Sequence, residues 1–177
     1  GIDNNNSMGD ESGEMAQLTG INLGTGRTAK SISMGEYHSC ALLDNASVKC
    51  WGWNHYGQLG IGSNVTMGDG SGEMDSLPTI NLGTGRTATA ISAGYYHSCA
   101  VLDNASVKCW GRNNYGQLGI GSASMKGRYS REMGDNLTAA DLGTGRTATA
   151  IAAGTFHSCA VLDNGAVKCW GYNYYGQ

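Results

Sequence analysis

The feature that most constrains the fold is a stretch that occurs three times along the chain. Its second copy begins at His97 and reads His-Ser-Cys-Ala-Val-Leu-Asp-Asn-Ala-Ser-Val-Lys-Cys-Trp-Gly, with Asn-Tyr-Gly-Gln-Leu-Gly shortly after. The copies begin at His38, His97 and His157, which are 59 and 60 residues apart. A fixed period of this size indicates structural modules that bury their surfaces against their neighbours. The sequence therefore predicts three repeats, residues 1–59, 60–118 and 119–177, as a slice of a longer ring or array.

Each repeat contains four short apolar or alternating segments separated by turn-forming residues. In the second repeat they are Thr79–Leu82, Thr87–Ala93, His97–Leu102 and Ser106–Gly111. No stretch keeps a period of 3.6 residues, so little helix is expected. Short strands at regular spacing are typical of propeller blades. We therefore predict an all-β fold, a β-propeller segment of three four-stranded blades.

The composition excludes several classes of function. The chain has 11 basic and 14 acidic residues, a net charge of −3, and no stripe of Lys and Arg that would neutralise a phosphate backbone. We therefore expect no nucleic acid partner. No apolar run reaches the roughly 20 residues that a membrane-spanning helix needs, so no membrane span is expected.

Cysteine usage points to an oxidising compartment. Six cysteines occur at the same two places in every repeat, as in disulfide frameworks of exported proteins. Glycosylation sequons are compatible with the same route. They are Asn5, Asn45, Asn64, Asn104 and Asn136. The sequence thus predicts a secreted or cell-surface protein.

The repeated motif resembles the repeat of the regulator-of-chromosome-condensation β-propellers. The resemblance covers the whole chain and implies a ring of seven four-stranded blades. The family includes a nucleotide-exchange factor, a plant ultraviolet photoreceptor and a secreted β-lactamase inhibitor, so the resemblance implies a fold more than an activity. The cysteines resemble those of the exported, disulfide-bearing branch. We predict neither nucleotide exchange nor light sensing for this chain, because it has no basic tail and only one extra tryptophan, Trp53.

The disulfide pairing depends on the turn within each predicted hairpin. A three-residue loop Asp163–Gly165 would place Cys159 opposite Cys169, which allows a bridge across the hairpin. A two-residue Asn-Gly turn would place these sulfurs on opposite faces, and the bridges would then join different blades. We favour the first arrangement. It predicts the pairs Cys40–Cys50, Cys99–Cys109 and Cys159–Cys169.

The repeated His and Cys residues and the acidic loops could have a chemical role, in zinc binding, nucleophilic catalysis or calcium binding, or a purely structural one. A repeated His with two cysteines could bind zinc, but no fourth ligand lies within the repeat. A Cys–His nucleophile is disfavoured because the same set is copied three times. Acidic loops such as Asp69–Glu73 could hold calcium, but they lack the usual spacing of ligands. We therefore expect no catalytic residue, no metal site and no cofactor.

The residues after each repeated Trp-Gly vary in an aromatic and polar mixture that is typical of a recognition surface. Drift in an exposed loop is the alternative. The candidate recognition residues are Trp53, His55, Arg112, Asn114, Tyr172 and Tyr174. We predict a non-enzymatic extracellular module that binds a protein or a glycan. The alternative is a building block of an extracellular fibre or appendage, in which the partners are other copies of the chain.

Overall fold

Short strands form three separate antiparallel sheets, one in each repeat. The structure is a computed structural model that describes residues 1–177. Each sheet has three strands in sequence order, so the fold is all-β as predicted. The strands are β1 (Ala29–Met34), β2 (His38–Leu43) and β3 (Val48–Gly52); β4 (Ala88–Ala93), β5 (His97–Leu102) and β6 (Val107–Gly111); and β7 (Ala148–Ala153), β8 (His157–Leu162) and β9 (Val167–Gly171).

Helical structure is confined to single turns in the segment before the first sheet and in the long connections between sheets. These are α1 (Glu14–Gln17), α2 (Glu73–Ser76) and two 3₁₀ turns, Ser130–Glu132 and Gly134–Asn136. The side chain of Met74 on α2 is buried against Trp51. The Gly-rich connection therefore covers one side of the first sheet as well as linking two sheets.

The prediction of a fourth strand in each repeat is wrong. The segment 79–82 runs beside β3 of the preceding repeat, but only one backbone hydrogen bond joins them, from Ile80 N–H to Val48 O (2.9 Å). Pro78, directly before this segment, has no N–H to donate. The side chains of Ile80 and Leu82 are buried between the first and second sheets. Side-chain burial, rather than a ladder of hydrogen bonds, thus holds the segment in place.

A three-residue loop joins the second and third strands of every sheet. In the third repeat Leu162 N–H donates to Ala166 O (2.8 Å), and Gly165 has the left-handed φ of 80° that such a loop needs. Ala46 and Ala105 occupy the same place with φ of 63° and 59°. Alanine rarely adopts this conformation because its Cβ crowds the backbone.

The loop length sets the disulfide register. Cys159 lies directly opposite Cys169 on β8 and β9, and the same register holds in the other two sheets. The Cα atoms of the facing cysteines are 4.0–4.1 Å apart. The structure accordingly joins them within each hairpin: Cys40–Cys50, Cys99–Cys109 and Cys159–Cys169.

The hydrophobic core lies between consecutive sheets. On β3 the side chains of Cys50 and Trp51 point to opposite faces, because side chains alternate along a strand. The Cys40–Cys50 disulfide packs toward the second sheet, where Trp110 is fully buried in the same cluster. An equivalent cluster joins the second and third sheets. Each sheet therefore presents its disulfide to the next repeat and its Trp to the preceding one.

The first strands of the three sheets lie side by side at the inner edge. Ser33 Oγ accepts a hydrogen bond from Ala93 N–H in the next sheet (2.9 Å), and Ser92 Oγ accepts one from Ala153 N–H (2.9 Å). A Cβ at Gly94 would lie 2.3 Å from Gly154 O. Only glycine permits this close approach between neighbouring sheets.

Candidate functional site

The repeated histidines are buried and join neighbouring sheets. Ser98 Oγ donates its proton to Gln58 O (2.8 Å), so it accepts a hydrogen bond from His38 Nε2–H (2.8 Å). Trp110 Nε1–H donates to the same carbonyl of Gln58 (2.9 Å). Burial lowers the pKa of His38 to about 4 and the pKa of His97 to about 3. Both rings are therefore neutral at pH 7 and serve as packing and hydrogen-bonding groups.

The repeated His and Cys residues do not form a metal site. All cysteines are in disulfides, so no thiolate is free to act as a ligand. The Nε2 atoms of His38 and His97 are engaged with serine hydroxyls. No group of three or more His, Cys, Asp or Glu side chains is placed to hold an ion.

The glutamates of the acidic loops turn toward their own backbone. Glu73 Oε2 accepts hydrogen bonds from the N–H groups of Gly68, Asp69 and Gly70 (2.8–3.1 Å). These hydrogen bonds lower the pKa of Glu73. Glu14 accepts from Gly9 and Glu11 in the same way. These carboxylates therefore close the loops rather than project toward an ion.

Antiparallel pairing brings two variable positions of each repeat together at one end of its sheet. One position directly precedes the repeated His, and the other directly follows the last strand. Trp53 N–H donates to Tyr37 O (2.8 Å), and Arg112 N–H donates to Tyr96 O (2.9 Å). Tyr172 and Phe156 are joined in the same way. Because the repeats share this geometry, their variable residues lie on a single face.

The rings on this face form one continuous surface, which we call the aromatic face. The surface begins at Tyr37, whose ring centroid is 6.1 Å from that of Trp53. It crosses to the second repeat through Trp53 and Tyr96 (5.1 Å) and to the third through Tyr95 and Phe156 (5.6 Å). Its rings are Tyr37, Trp53, His55, Tyr56, Tyr95, Tyr96, Tyr115, Phe156, Tyr172, Tyr174 and Tyr175.

Arg112 is the only cation enclosed by these rings. Its Cζ atom lies 5.2 Å from the ring centroids of both Tyr56 and Phe156. Tyr96 and Tyr115 are 5.7 and 6.0 Å away. Cation–π attraction to several rings holds the guanidinium in a defined position. Its Nε atom is buried without a hydrogen-bond partner.

The structure brings five of the six candidate recognition residues together on the aromatic face. His55 stacks on Trp53 (5.6 Å), and Tyr174 stacks on Tyr172 (6.2 Å). Arg112 lies between the repeats that carry these pairs. Asn114 is exposed and lies outside the ring contacts.

Sequence reasoning missed the half of this face that precedes the repeated histidines. Tyr37, Tyr96 and Phe156 contact the residues that were singled out, yet they lie 16 positions before them in the chain. The available signal was that every repeated His follows an aromatic residue. In the predicted hairpin, the residue before the repeated His and the residue after the last strand lie at the same end, so the hairpin would have predicted that they are neighbours.

All five sequon asparagines are exposed. Asn45 and Asn104 lie in hairpin loops, where each Oδ1 accepts a hydrogen bond from the hydroxyl of the sequon serine. Asn5 lies in the segment before the first sheet, and Asn64 and Asn136 lie in the long connections between sheets. Glycosylation at these sites stays a prediction.

Comparisons with solved structures establish the propeller fold. Human WBSCR16 matches with a TM-score of 0.65 and 21% identity, covering 82% of this chain and 33% of that one. Yeast RCC1 (Prp20), solved bound to Kap60, matches with a TM-score of 0.61 and 24% identity, covering 82% and 32%. At these identities the likeness concerns the fold alone.

Curated relatives share the repeat but are much longer. The human probable E3 ubiquitin-protein ligase HERC4 is 34% identical over 146 residues, which are 82% of this chain and 12% of the ligase. The Arabidopsis thaliana ultraviolet-B receptor UVR8 is 34% identical over 92 residues, which are 52% of this chain and 19% of the receptor. The chain thus spans less than a fifth of these proteins.

The sequence matches the regulator of chromosome condensation (RCC1) repeat at residues 29–58, 88–117 and 148–177, and a second description of the same repeat at 47–101. None of the helices has the length and apolar character needed to cross a membrane. The three disulfides support the exported branch that the resemblance indicated. The predicted family is confirmed: the chain belongs to the regulator of chromosome condensation (RCC1) repeat family.

Proposed function

We propose that this chain is a segment of an extracellular, non-enzymatic β-propeller protein that binds a protein partner through its aromatic face. The observation that carries the proposal is the unbroken series of ring contacts from Tyr37 in the first repeat to Tyr175 in the third. Tyr, Trp, Phe and Arg are the residues enriched in protein interfaces and their hot spots.

The exposure of these rings supports a binding role over a purely structural one. Tyr37 is 52% exposed, Tyr115 45% and Tyr174 76%. A set of exposed aromatic side chains on one face usually marks an interaction site, because burying it from water is favourable. The rings also support one another, so little side-chain entropy is lost when a partner orders them.

The extracellular location rests on the disulfides and the exposed sequons. Structural disulfides persist in oxidising compartments. The sequon asparagines are accessible to a glycosyltransferase. Recovery of the oxidised protein from the medium of secreting cells, with glycans on these asparagines, is the direct check. Cysteines recovered as free thiols from the native source would contradict this location.

The binding proposal can be tested with a displayed peptide library selected against the oxidised protein. We expect selected peptides to lose about tenfold or more in affinity for Trp53→Ala and Tyr115→Ala. Arg27→Ala is the matched control, because Arg27 pairs with Asp44 near the hairpin turn at the opposite end of the first sheet. A cooperative thermal unfolding transition would verify that each variant is folded.

Two outcomes would contradict the proposal. One is a set of peptides that bind the two aromatic variants as tightly as the unmodified protein. The other is specific binding on a glycan array with no selected peptide at all, since this result would identify the face as a glycan site.

A building block of a fibre or appendage is the second candidate function, in which another copy of the chain would pack on the last sheet. Val167 is 62% exposed, whereas its counterparts Val48 and Val107 are fully buried by the following repeat. A further repeat of the same polypeptide, or another copy, would cover it in the same way. Concentration-dependent association of the oxidised protein in sedimentation velocity would support the fibre, and a constant monomer would contradict it. The repeat boundaries 1–59, 60–118 and 119–177 are part of either proposal.

A further inference from the structure

Arg112 differs from the arginines that recur in every repeat. Arg27, Arg86 and Arg146 each form an ion pair with an aspartate of the adjacent hairpin loop, at 3.2–3.3 Å. Arg112 forms no ion pair and no side-chain hydrogen bond, although four rings hold its guanidinium in place. An ordered cation whose N–H donors have no partner is prepared to receive an anion.

The loop of the third repeat also departs from its counterparts in charge. The loop comprises residues 126–133 and carries Lys126, Arg128 and Arg131, with Glu132 as its one acidic residue. The equivalent loop of the second repeat has acidic residues and no basic one. Glu132 forms no ion pair with these side chains, since its Oε2 accepts hydrogen bonds from the backbone N–H groups of Arg128 (2.9 Å) and Tyr129 (3.2 Å), and three basic residues against one acidic residue leave the loop positively charged.

Arg112 and the basic loop of the third repeat are separate in the sequence but adjacent in the structure. The backbones of Lys126 and Gly111 exchange hydrogen bonds (2.7 and 3.2 Å), which places the loop beside Arg112. The same loop crosses the turn after Tyr56, where a Cβ on Gly57 would lie 2.6 Å from Arg128 N. Tyr56 is also one of the rings around Arg112. The basic loop therefore borders the part of the aromatic face that holds the unpaired arginine.

Arg112 and Arg128 each also have a buried Nε atom without a hydrogen-bond partner. They are the only two arginine atoms among the six buried side-chain nitrogens that lack a partner. The guanidinium groups of Arg128 and Arg131 lie over the ring of Tyr129, at 5.9 and 5.2 Å. The ring orders them as other rings order Arg112. Buried donors without partners are rare in folded proteins.

We propose that these four residues, which we call the basic corner, bind the Asp and Glu side chains of an acidic segment in a protein partner. The basic corner consists of Lys126, Arg128 and Arg131 with Arg112. The proposal rests on the proposed function, since it names the chemistry of the partner at one part of the aromatic face. The planar fork of a guanidinium matches a carboxylate through two parallel hydrogen bonds.

A peptide suits this surface better than an isolated anion. Tyr115 and Tyr129, which are 45% and 50% exposed, lie directly beside the guanidinium groups. Apolar side chains between the carboxylates of a peptide can pack on these rings. Hydrogen bonds to the fork would supply orientation, and the rings would supply apolar contact.

The test uses two fluorescein-labelled peptides and the oxidised protein in fluorescence anisotropy titrations. The acidic probe is Glu-Asp-Leu-Glu-Asp-Leu-Glu-Asp, and its uncharged match is Gln-Asn-Leu-Gln-Asn-Leu-Gln-Asn. We expect saturable binding of the acidic peptide alone, weakened by added salt. Arg112→Gln and Arg128→Gln should each lower its affinity about tenfold or more. Arg112→Lys should not restore it, because lysine lacks the fork.

Arg146→Gln is the control, because this arginine lies at the opposite end of the third sheet and pairs with Asp163 (3.2 Å). Equal binding of the two peptides, or an equal loss in Arg146→Gln and Arg112→Gln, would overturn the proposal. Displacement of the acidic peptide by a sulfated oligosaccharide at much lower concentration would overturn it in favour of a glycan. Selection of uncharged library peptides whose binding depends on Trp53 but not on Arg112 would support the proposed function and contradict only the proposed role of the basic corner.

Discussion

His38 in the first sheet donates a hydrogen bond from Nε2 to Ser98 Oγ in the second sheet, at 2.8 Å. Both groups are buried, and His97 and Ser158 form the same bond between the second and third sheets (2.9 Å). A polar contact is thus repeated at each boundary between sheets. Because a buried donor left without its acceptor is costly, these bonds fix how one sheet docks on the next.

Substitution Ser98→Ala should reduce the free energy of unfolding by about 1–3 kcal/mol, because His38 Nε2–H then has no acceptor. Ser39→Ala is the matched control, since Ser39 occupies the same strand position in the first sheet but forms no side-chain hydrogen bond. Urea denaturation of both variants measures the difference. Equal losses in the two variants would show that the bond contributes nothing specific.

Stability should fall as the pH is lowered from about 6.5 toward 4. Burial lowers the folded-state pKa of His38 to about 4 and that of His97 to about 3, so the unfolded chain binds protons first. Their contribution is complete above the unfolded pKa and is lost as the pH falls through this range. Thermal unfolding between pH 4 and 7 measures the slope. His97→Gln should make the slope shallower, because one of the two buried rings no longer titrates.

Substitution Ala105→Gly should stabilise the protein by about 0.5–1 kcal/mol. Relief of the left-handed conformation at φ 59° exceeds the extra chain entropy that glycine brings to the unfolded state. The third repeat supplies the reverse experiment, because Gly165 occupies the equivalent position with φ 80°. Gly165→Ala should destabilise the protein. Changes of the same sign in the free energy of unfolding of Ala105→Gly and Gly165→Ala, measured by chemical denaturation, would contradict this prediction.

Removal of the second disulfide by Cys99→Ala with Cys109→Ala should cost about 2–3 kcal/mol, the entropy of closing a loop of roughly 11 residues. Both cysteines are fully buried between the second and third sheets, so packing adds to this loss. Non-reducing peptide mapping should recover Cys99 linked to Cys109. A peptide that joins cysteines of different repeats would contradict the hairpin register.

The repeat and its hairpin were predictable because they depend on local signals. The loop Asp163–Gly165 fixes which residues face each other, and from this the facing cysteines follow. The fourth strand was not predictable, since Thr79–Leu82 has the composition of a strand and its outcome depends on contacts with β3 of another repeat. The hydrogen bond between His38 and Ser98 could not be predicted either, because it joins two different repeats.

The candidate site shows the same division between local and distant information. Variation after each Trp-Gly located Trp53, Arg112 and Tyr172. It could not show that Arg112 is enclosed by rings from two neighbouring repeats. Contacts between rings of different repeats produce no regular spacing of residues in the sequence. The charge reversal of the loop at Lys126 was visible, but its position beside Arg112 required the structure.

The most direct measurement of the central claim is a chemical-shift map of the oxidised protein titrated with a library-selected peptide. We predict that the largest perturbations fall on the aromatic face, at the Trp53 indole and at the rings of Tyr37, Tyr96 and Tyr115. The hairpin loops at the other end of the sheets, such as Asp44–Ser47, should be unaffected. Perturbations centred on those loops, with the aromatic signals unchanged, would contradict the assignment of this face as the binding surface.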